Sequence, residues 1–260
     1  MRGREIAARW MLQQRCDLLR SLHVPGTPLV LPNAWDAASA RAVVAAGFPV
    51  VATTSGGVAA TLGYEDHQGA PADDMLAAAA RIARSVDVPV TVDAEAGYGM
   101  APGDLVDVLI GAGASGCNLE DTDYATGRLV ETGRHAEWLA AVREAAAERG
   151  SRLVINARID VFLADPGAPT QMELLDEAVA RARAYRAAGV DCVFPILLTD
   201  ADSIAAFVAA VASPVNILAL PQAPPIARLA AMGVSRVSYG SLLHRRAMEG
   251  LAANLADIAP

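Results

Sequence analysis

Four times along the chain a helical stretch runs into a glycine and then a short buried-looking strand: AAGFPVV (45–51), GAGASGCN (111–118), AAGVDCVF (187–194) and AMGVSRVS (231–238). A glycine just past a helix end accepts the left-handed cap conformation. The β-branched run that follows reads as the next strand of a parallel βα unit. Extended over the chain, the pattern predicts eight strands, at 29–32, 49–54, 89–95, 116–121, 152–158, 191–196, 214–219 and 235–240. Helices are predicted between them over 36–46, 71–85, 102–111, 135–150, 171–188, 200–211, 224–232 and 241–256, with Asp36 capping the first. No linker or composition break interrupts the alternation. It predicts one α/β domain, a (β/α)8 TIM barrel over residues 29–260, preceded by a helical extension over 1–28 that ends at the Pro25–Gly26 turn. The rival fold, an open doubly wound sheet, carries a glycine-rich phosphate turn after its first strand. LVLPNAWDAAS offers none.

Composition narrows the function. An apolar fraction of 53% suits strands buried on both faces. With 29 acidic against 21 basic residues, the net charge of −8 argues against nucleic acid. No apolar run has transmembrane length and the charged N-terminal helix is unlike a signal peptide, so a cytoplasmic protein without a membrane partner is expected. Three cysteines, Cys16, Cys117 and Cys192, are spaced for neither disulfides nor zinc. The last two fall inside strands, where a thiol behaves as a small hydrophobe. Every basic side chain is arginine, so lysine Schiff-base chemistry is excluded.

Barrel enzymes gather their chemistry at the C-terminal ends of the strands. There the sequence places Ser55-Gly56-Gly57 after the second strand, Asp93 and Glu95 at the end of the third, Glu120 on the fourth and Arg158 on the fifth. Asp93 and Glu95 face one way on a strand of period two, and Glu120 joins them from the next strand. Three converging carboxylates call for a compensating cation, and a hard divalent ion, Mg²⁺ or Mn²⁺, is the natural one. Capping of loops or pairing with arginines is the structural alternative. The Ser55–Gly57 segment reads as a turn whose N–H groups could hold an anion. Arg158 could clamp a carboxylate or phosphonate, or pair with Glu120 or Asp160. His67 and His135 read as surface loop histidines, and Tyr98, Tyr124 or a metal-bound water are the candidates for moving a proton.

Together the segments LPNAWDAASARAVVAAGF, TTSGGVAATLGYED, VDAEAGYG, NLED, NARID and PVNILA resemble the isocitrate lyase/phosphoenolpyruvate mutase superfamily, from about residue 28 to the end. The resemblance implies that Asp93 lies nearest Mg²⁺ and that Asp66, Glu95 and Glu120 hold its water shell. It also implies that Ser55, Gly56 and Gly57 bind the substrate carboxylate, and that Arg158 binds the reacting end with help from Asn216. The implied chemistry is formation or capture of an enolate. The implied assembly is a tetramer or dimer with an exchanged terminal helix.

The departures are as informative. Lyases of this superfamily carry a KKCGH- or KRCGH-type loop after the fourth strand, whereas this chain reads DTDYATGRLVETGRH, without cysteine or lysine. Ile196 follows Phe194-Pro195 where methylisocitrate-type lyases have glutamate. The lysine and asparagine of the mutase gating loop are missing too, and by its position Arg128 is expected to supply the cation of this loop. The expectation is therefore a Mg²⁺-dependent, lyase-like enzyme cleaving a C–C bond, less readily a C–P bond, in a small anionic 2-oxo or 2-hydroxy acid. The alternatives are an oxaloacetate decarboxylase or hydrolase, a phosphonopyruvate-type hydrolase or mutase, and a non-catalytic barrel that binds a 2-oxo acid.

Overall fold

The computed structural model describes residues 2–163 and 169–258. Helix α1 (Arg2–Ser21) precedes β1 (Leu29–Leu31) and β2 (Asn33–Ala34), which are one barrel strand interrupted at Pro32, a residue without an N–H to give the ladder. Next come α2 (Ala37–Ala45), β3 (Val51–Thr53), α3 (Ser55–Leu62), α4 (Ala72–Arg84), β4 (Val90–Asp93), α5 (Pro102–Ala112) and β5 (Gly116–Glu120). A small hairpin, β6 (Thr122–Asp123) with β7 (Arg128–Leu129), leads into α6 (Thr132–Glu148) and β8 (Val154–Ile159). The chain closes with α7 (Leu175–Ala187), β9 (Cys192–Pro195), α8 (Ala201–Val211), β10 (Asn216–Leu218), α9 (Ile226–Ala231), β11 (Arg236–Ser238) and α10 (Leu242–Ala256).

All barrel pairings are parallel. One ladder runs β2-β3-β4-β5-β8-β9 and the other β1-β11-β10. The bridge Val193↔Val215 joins them on one side, and the continuity of β1 with β2 joins them on the other. The ring is a closed (β/α)8 barrel, and all eight expected strands are present. The glycine stops behave as the sequence requires: Gly47, Gly150, Gly189 and Gly233 all have positive φ. Asp36 caps α2 with a full capping box, its side chain accepting from Ser39 N.

Alternation decides which side chains meet the helices. Val92, Leu119, Ile155, Ala157, Val193, Ile217 and Val237 join the large cluster between strands and helices. Leu29, Leu31, Val50, Ala52 and Val154 form a second cluster with Leu19 of α1, which plugs the N-terminal end of the barrel. Arg20 of α1 is tied to Asp191 at 2.8 Å, and Arg143 pairs with the same carboxylate. With that end sealed, the polar residues at the opposite end are left to form a site.

Two sequence expectations change. Ser55–Gly57 is not a turn but the first turn of α3. His135 is neither in a loop nor on the surface: it lies in α6, buried between Trp138 and Tyr185. No helix among the described residues is long and apolar enough to cross a membrane.

Candidate active site

Asp93, the last residue of β4, meets the N-terminus of α3. Its Oδ2 accepts the Ser55 N–H at 3.0 Å, and its own N–H donates to Thr53 Oγ1 at 2.8 Å. Its Oδ1 is buried with no hydrogen-bond partner. The open N-terminus of α3 adds partial positive charge to the same spot. Thr54, at the N-cap position, makes no side-chain cap and instead shares a hydrogen bond with Ser241 Oγ at 2.8 Å. The glycines are needed for space here. A Cβ on Gly56 would stand 2.5 Å from Asp66 Oδ2 and 2.7 Å from Ser241 Oγ, and one on Gly57 would stand 2.7 Å from Thr54 Cγ2. Asp66, expected in the loop after the second strand, is thus folded back onto the α3 N-terminus.

Glu95 reaches the site by another route than the one expected. The strand ends at Asp93, and Glu95 sits in left-handed conformation with φ 48°, as does Tyr98 with φ 55°. Period-two alternation therefore does not orient it. Its Oε1 accepts the N–H of Gln68 at 2.5 Å, and Gln68 and His67 are themselves left-handed. Such runs of strained backbone persist where surrounding contacts over-determine them. Burial, then the charges of Asp93 and Asp66, push the Glu95 carboxyl up to about 7 against the Gln68 and Tyr98 hydrogen bonds.

Glu120 ends β5 and stands in register with Arg158 on β8. Its Oε2 pairs with Arg158 Nη1, and its Oε1 accepts from the Tyr124 hydroxyl. Arg158 also forks onto Asp160, Nε to Oδ1 at 2.6 Å and Nη2 to Oδ2 at 3.2 Å, while Thr122 donates to Oδ2 at 2.5 Å. Both readings of Arg158 as an ion-pair partner therefore hold at once. Burial lifts the Glu120 carboxyl well above the usual range, with Arg158 opposing. Tyr124 comes from the β6–β7 hairpin, and its ring stacks on His67 at 5.6 Å, so two loops meet over the acids. Arg128 is exposed on that hairpin opposite Asp123, and no contact brings it to the acids.

The acids do not make a three-ligand cage. Among the described residues no three Asp, Glu, His or Cys side chains are grouped to hold a metal ion. Glu95 accepts from Gln68 and Glu120 from Tyr124, and the second Glu120 oxygen is ion-paired with Arg158; Asp93 Oδ1 is buried with neither a hydrogen bond nor an ion pair. Asn216, expected to help Arg158 bind the reacting end, opens β10, is fully buried, and donates to Ser238 Oγ at 3.2 Å. It belongs to a polar layer inside the barrel, where Asn118 Oδ1 accepts from Asn156 Nδ2 at 2.9 Å and from Arg236 Nη2 at 3.1 Å. Arg236 and Asn118 were not among the expected site residues, although alternation in NLE (118–120) and RVS (236–238) sets each on the inner face of its strand.

Comparison with known proteins places the chain in a family. Residues 19–259 match the family model described as phosphoenolpyruvate phosphomutase. A crystal structure from Burkholderia cenocepacia, provisionally assigned as a phosphonomutase, has a TM-score of 0.89 at 42% identity, covering 96% of this chain and 100% of that one. The oxaloacetate decarboxylase of a Bradyrhizobium species is 32% identical over 220 residues, 80% of this chain and 72% of that protein. The 2-methylisocitrate lyase of Escherichia coli K12 is 31% identical over 212 residues, 75% and 70% of the two chains. With residues 19–259 matched to its model, the chain belongs to the phosphoenolpyruvate phosphomutase family, within the isocitrate lyase/phosphoenolpyruvate mutase superfamily.

Proposed function

We propose that this enzyme is a divalent-metal-dependent lyase that breaks a C–C bond beside the carbonyl of a small 2-oxo or 2-hydroxy acid by way of an enolate. C–P cleavage in a phosphonate analogue is the lesser variant. The observation that carries the reading is Asp93, with one carboxylate oxygen fixed by the α3 N-terminus and the other buried and unpartnered. A carboxylate oxygen left free of protein partners beside other acids fits Mg²⁺ or Mn²⁺, which takes one or two carboxylates and keeps several waters. Asp93 would hold the ion directly, and Asp66, Glu95 and Glu120 would hold its waters. When bound, the ion stabilises negative charge developing on the enolate.

The chain supplies the rest. The N–H groups of Gly56 and Gly57 with the Ser55 hydroxyl receive the substrate carboxylate at the helix N-terminus. Arg158, oriented by Asp160, meets the reacting end. Tyr124, whose hydroxyl lies on Glu120 beneath the His67 ring, is the group placed to hold and return a proton.

Oxaloacetate decarboxylation is the second reading, favoured by one observation. All three thiols are buried away from the mouth, and burial raises Cys117 and Cys192 to about 12. A site without a reactive thiol suits a reaction that needs little proton machinery.

The test is a turnover screen with Mg²⁺ over oxaloacetate, phosphonopyruvate, methylisocitrate and dimethylmalate, run beside Asp93→Ala. Metal-dependent turnover of one substrate, lost by about 10²-fold or more in the variant, is expected. Stabilisation by a 2-oxo acid with no turnover of any would replace the enzyme reading with that of a binding barrel.

A further inference from the structure

Arg236 is the largest fully buried side chain of the protein, with none of its surface exposed. Only its Nη2 has a partner, the neutral amide oxygen of Asn118 at 3.1 Å. Its Nε and Nη1 have none, and no carboxylate among the described residues lies within ion-pair distance. An arginine cannot escape this by losing its proton, and an uncompensated buried charge is strongly destabilising. The two other buried arginines are paired, Arg158 with Glu120 and Asp160, and Arg181 with Asp121. Arg236 therefore needs a compensating charge that is close without being in contact.

The ladder shows where that charge is. Asn118 stands in register with Asp93 on β4 and two residues before Glu120 on the inner face of β5. The Arg236 guanidinium, bonded to Asn118, thus lies at the ladder level of Asp93 and one inner residue below Glu120. Burial disfavours its charged form, and Cys192, then the Asp93 carboxylate, oppose that effect. Five acids, Asp66, Asp93, Glu95, Glu120 and Asp160, face the two cations Arg158 and Arg236, so the acids of the mouth outnumber its fixed positive charges.

We propose that Arg236 is the built-in counter-cation of the acid cluster, a positioning residue that holds the metal-free acids together and weakens the hold of the mouth on a divalent ion. The inference rests on the metal-binding reading of Asp93. A fixed positive charge beside the acids weakens cation affinity, so removing it must tighten binding.

The experiment is Mn²⁺ binding to the full-length protein at mildly alkaline pH, followed by the free-Mn²⁺ electron paramagnetic resonance signal. The variants are Arg236→Gln, which can keep a donor to Asn118 and drops the charge, and Arg236→Lys, which keeps the charge and loses the fork. The expected result is a Kd lowered by about tenfold in Arg236→Gln and held within about threefold in Arg236→Lys. Equal affinities in all three proteins, or a Kd that changes in Arg236→Lys and not in Arg236→Gln, would overturn the inference while leaving the metal reading standing. If Arg236→Gln does not fold, the inference stands or falls on Arg236→Lys, in which a tenfold change would overturn it. Wild type that takes up no Mn²⁺ would overturn the metal reading itself, and the counter-cation role with it.

Discussion

His23 and His135 show how strongly single side chains are constrained away from the mouth. Each is buried with its Nε2 unpartnered; His23 Nδ1 donates to the Leu19 carbonyl at 2.7 Å. Burial first, then Arg236 for one and Arg181 for the other, lowers both to about 4 from an ordinary 6.5. The sign follows directly. Below about pH 6.5 the unfolded chain takes up protons that the folded chain refuses until about pH 4, so stability is complete above that window and lost as pH falls through it. Glu95 acts the opposite way: with its carboxyl raised from 4.5 to about 7, it favours the fold at low pH and loses that contribution as pH rises. A difference measurement separates the two. The unfolding free-energy gap between wild type and His135→Phe, a ring that keeps the contact with Trp138 and Tyr185, should shift by roughly 2 kcal/mol against wild type between about pH 7 and pH 5. Urea titrations giving a constant gap would show that His135 is protonated in the folded state.

At the scale of elements, α3 separates what the chain's pattern shows from what it hides. Serine followed by two glycines is poor helix material, so the local sequence reads as a turn. The helix exists because Gly57 lets Trp35 and Thr54 close in and because Thr54 is tied to Ser241, contacts from distant parts of the chain. Gly56→Ala tests this against Gly111→Ala in α5, where an added Cβ meets nothing within 4 Å. The second change should raise stability by up to about 1 kcal/mol. The first gains the same propensity but drives the new methyl into Asp66 and Ser241, so stability should stay level while KM for the substrate rises about tenfold or more. Equal stabilisation in thermal melts with unchanged KM would remove Asp66 from the site. Strand and helix positions were legible because glycine stops and β-branched runs are local signals. Asp93, Glu120 and Arg158 were legible because the barrel rule needs only strand ends. The left-handed turn at Glu95, the depth of Asn216 and the isolation of Arg236 were not, since strand stagger and cross-barrel distance set them and neither is written in neighbouring residues.

At the scale of the whole molecule, α10 is the element that the single chain leaves unfinished. None of its residues is buried, and Met248, Leu251 and Leu255, at helical spacing on one face, are 45%, 49% and 52% exposed, with Ile258 beyond its end at 76%. A helix of 15 residues that buries none of them is marginal in water, and an apolar stripe of this kind marks an interaction surface. We propose that a second copy of the chain covers it, as the expected homo-oligomer with an exchanged terminal helix requires. The net charge of −8 opposes association, so the stripe must supply the attraction. The helix also starts at the site: Ser241 meets Thr54, and His244 packs edge-on against Trp35 at 5.1 Å. Holding the far end of α10 in a neighbour should therefore steady the wall of the carboxylate pocket. Light scattering should give a mass that is a multiple of 26.9 kDa for the wild type. Leu251→Glu with Leu255→Glu should fall to a smaller species with a KM raised about tenfold and an intact far-ultraviolet spectrum, because charges in a buried apolar interface go unpaired. A wild type of single-chain mass at micromolar concentration would end the proposal. A dissociated variant with unchanged KM would leave the assembly in place and cut its link to the site.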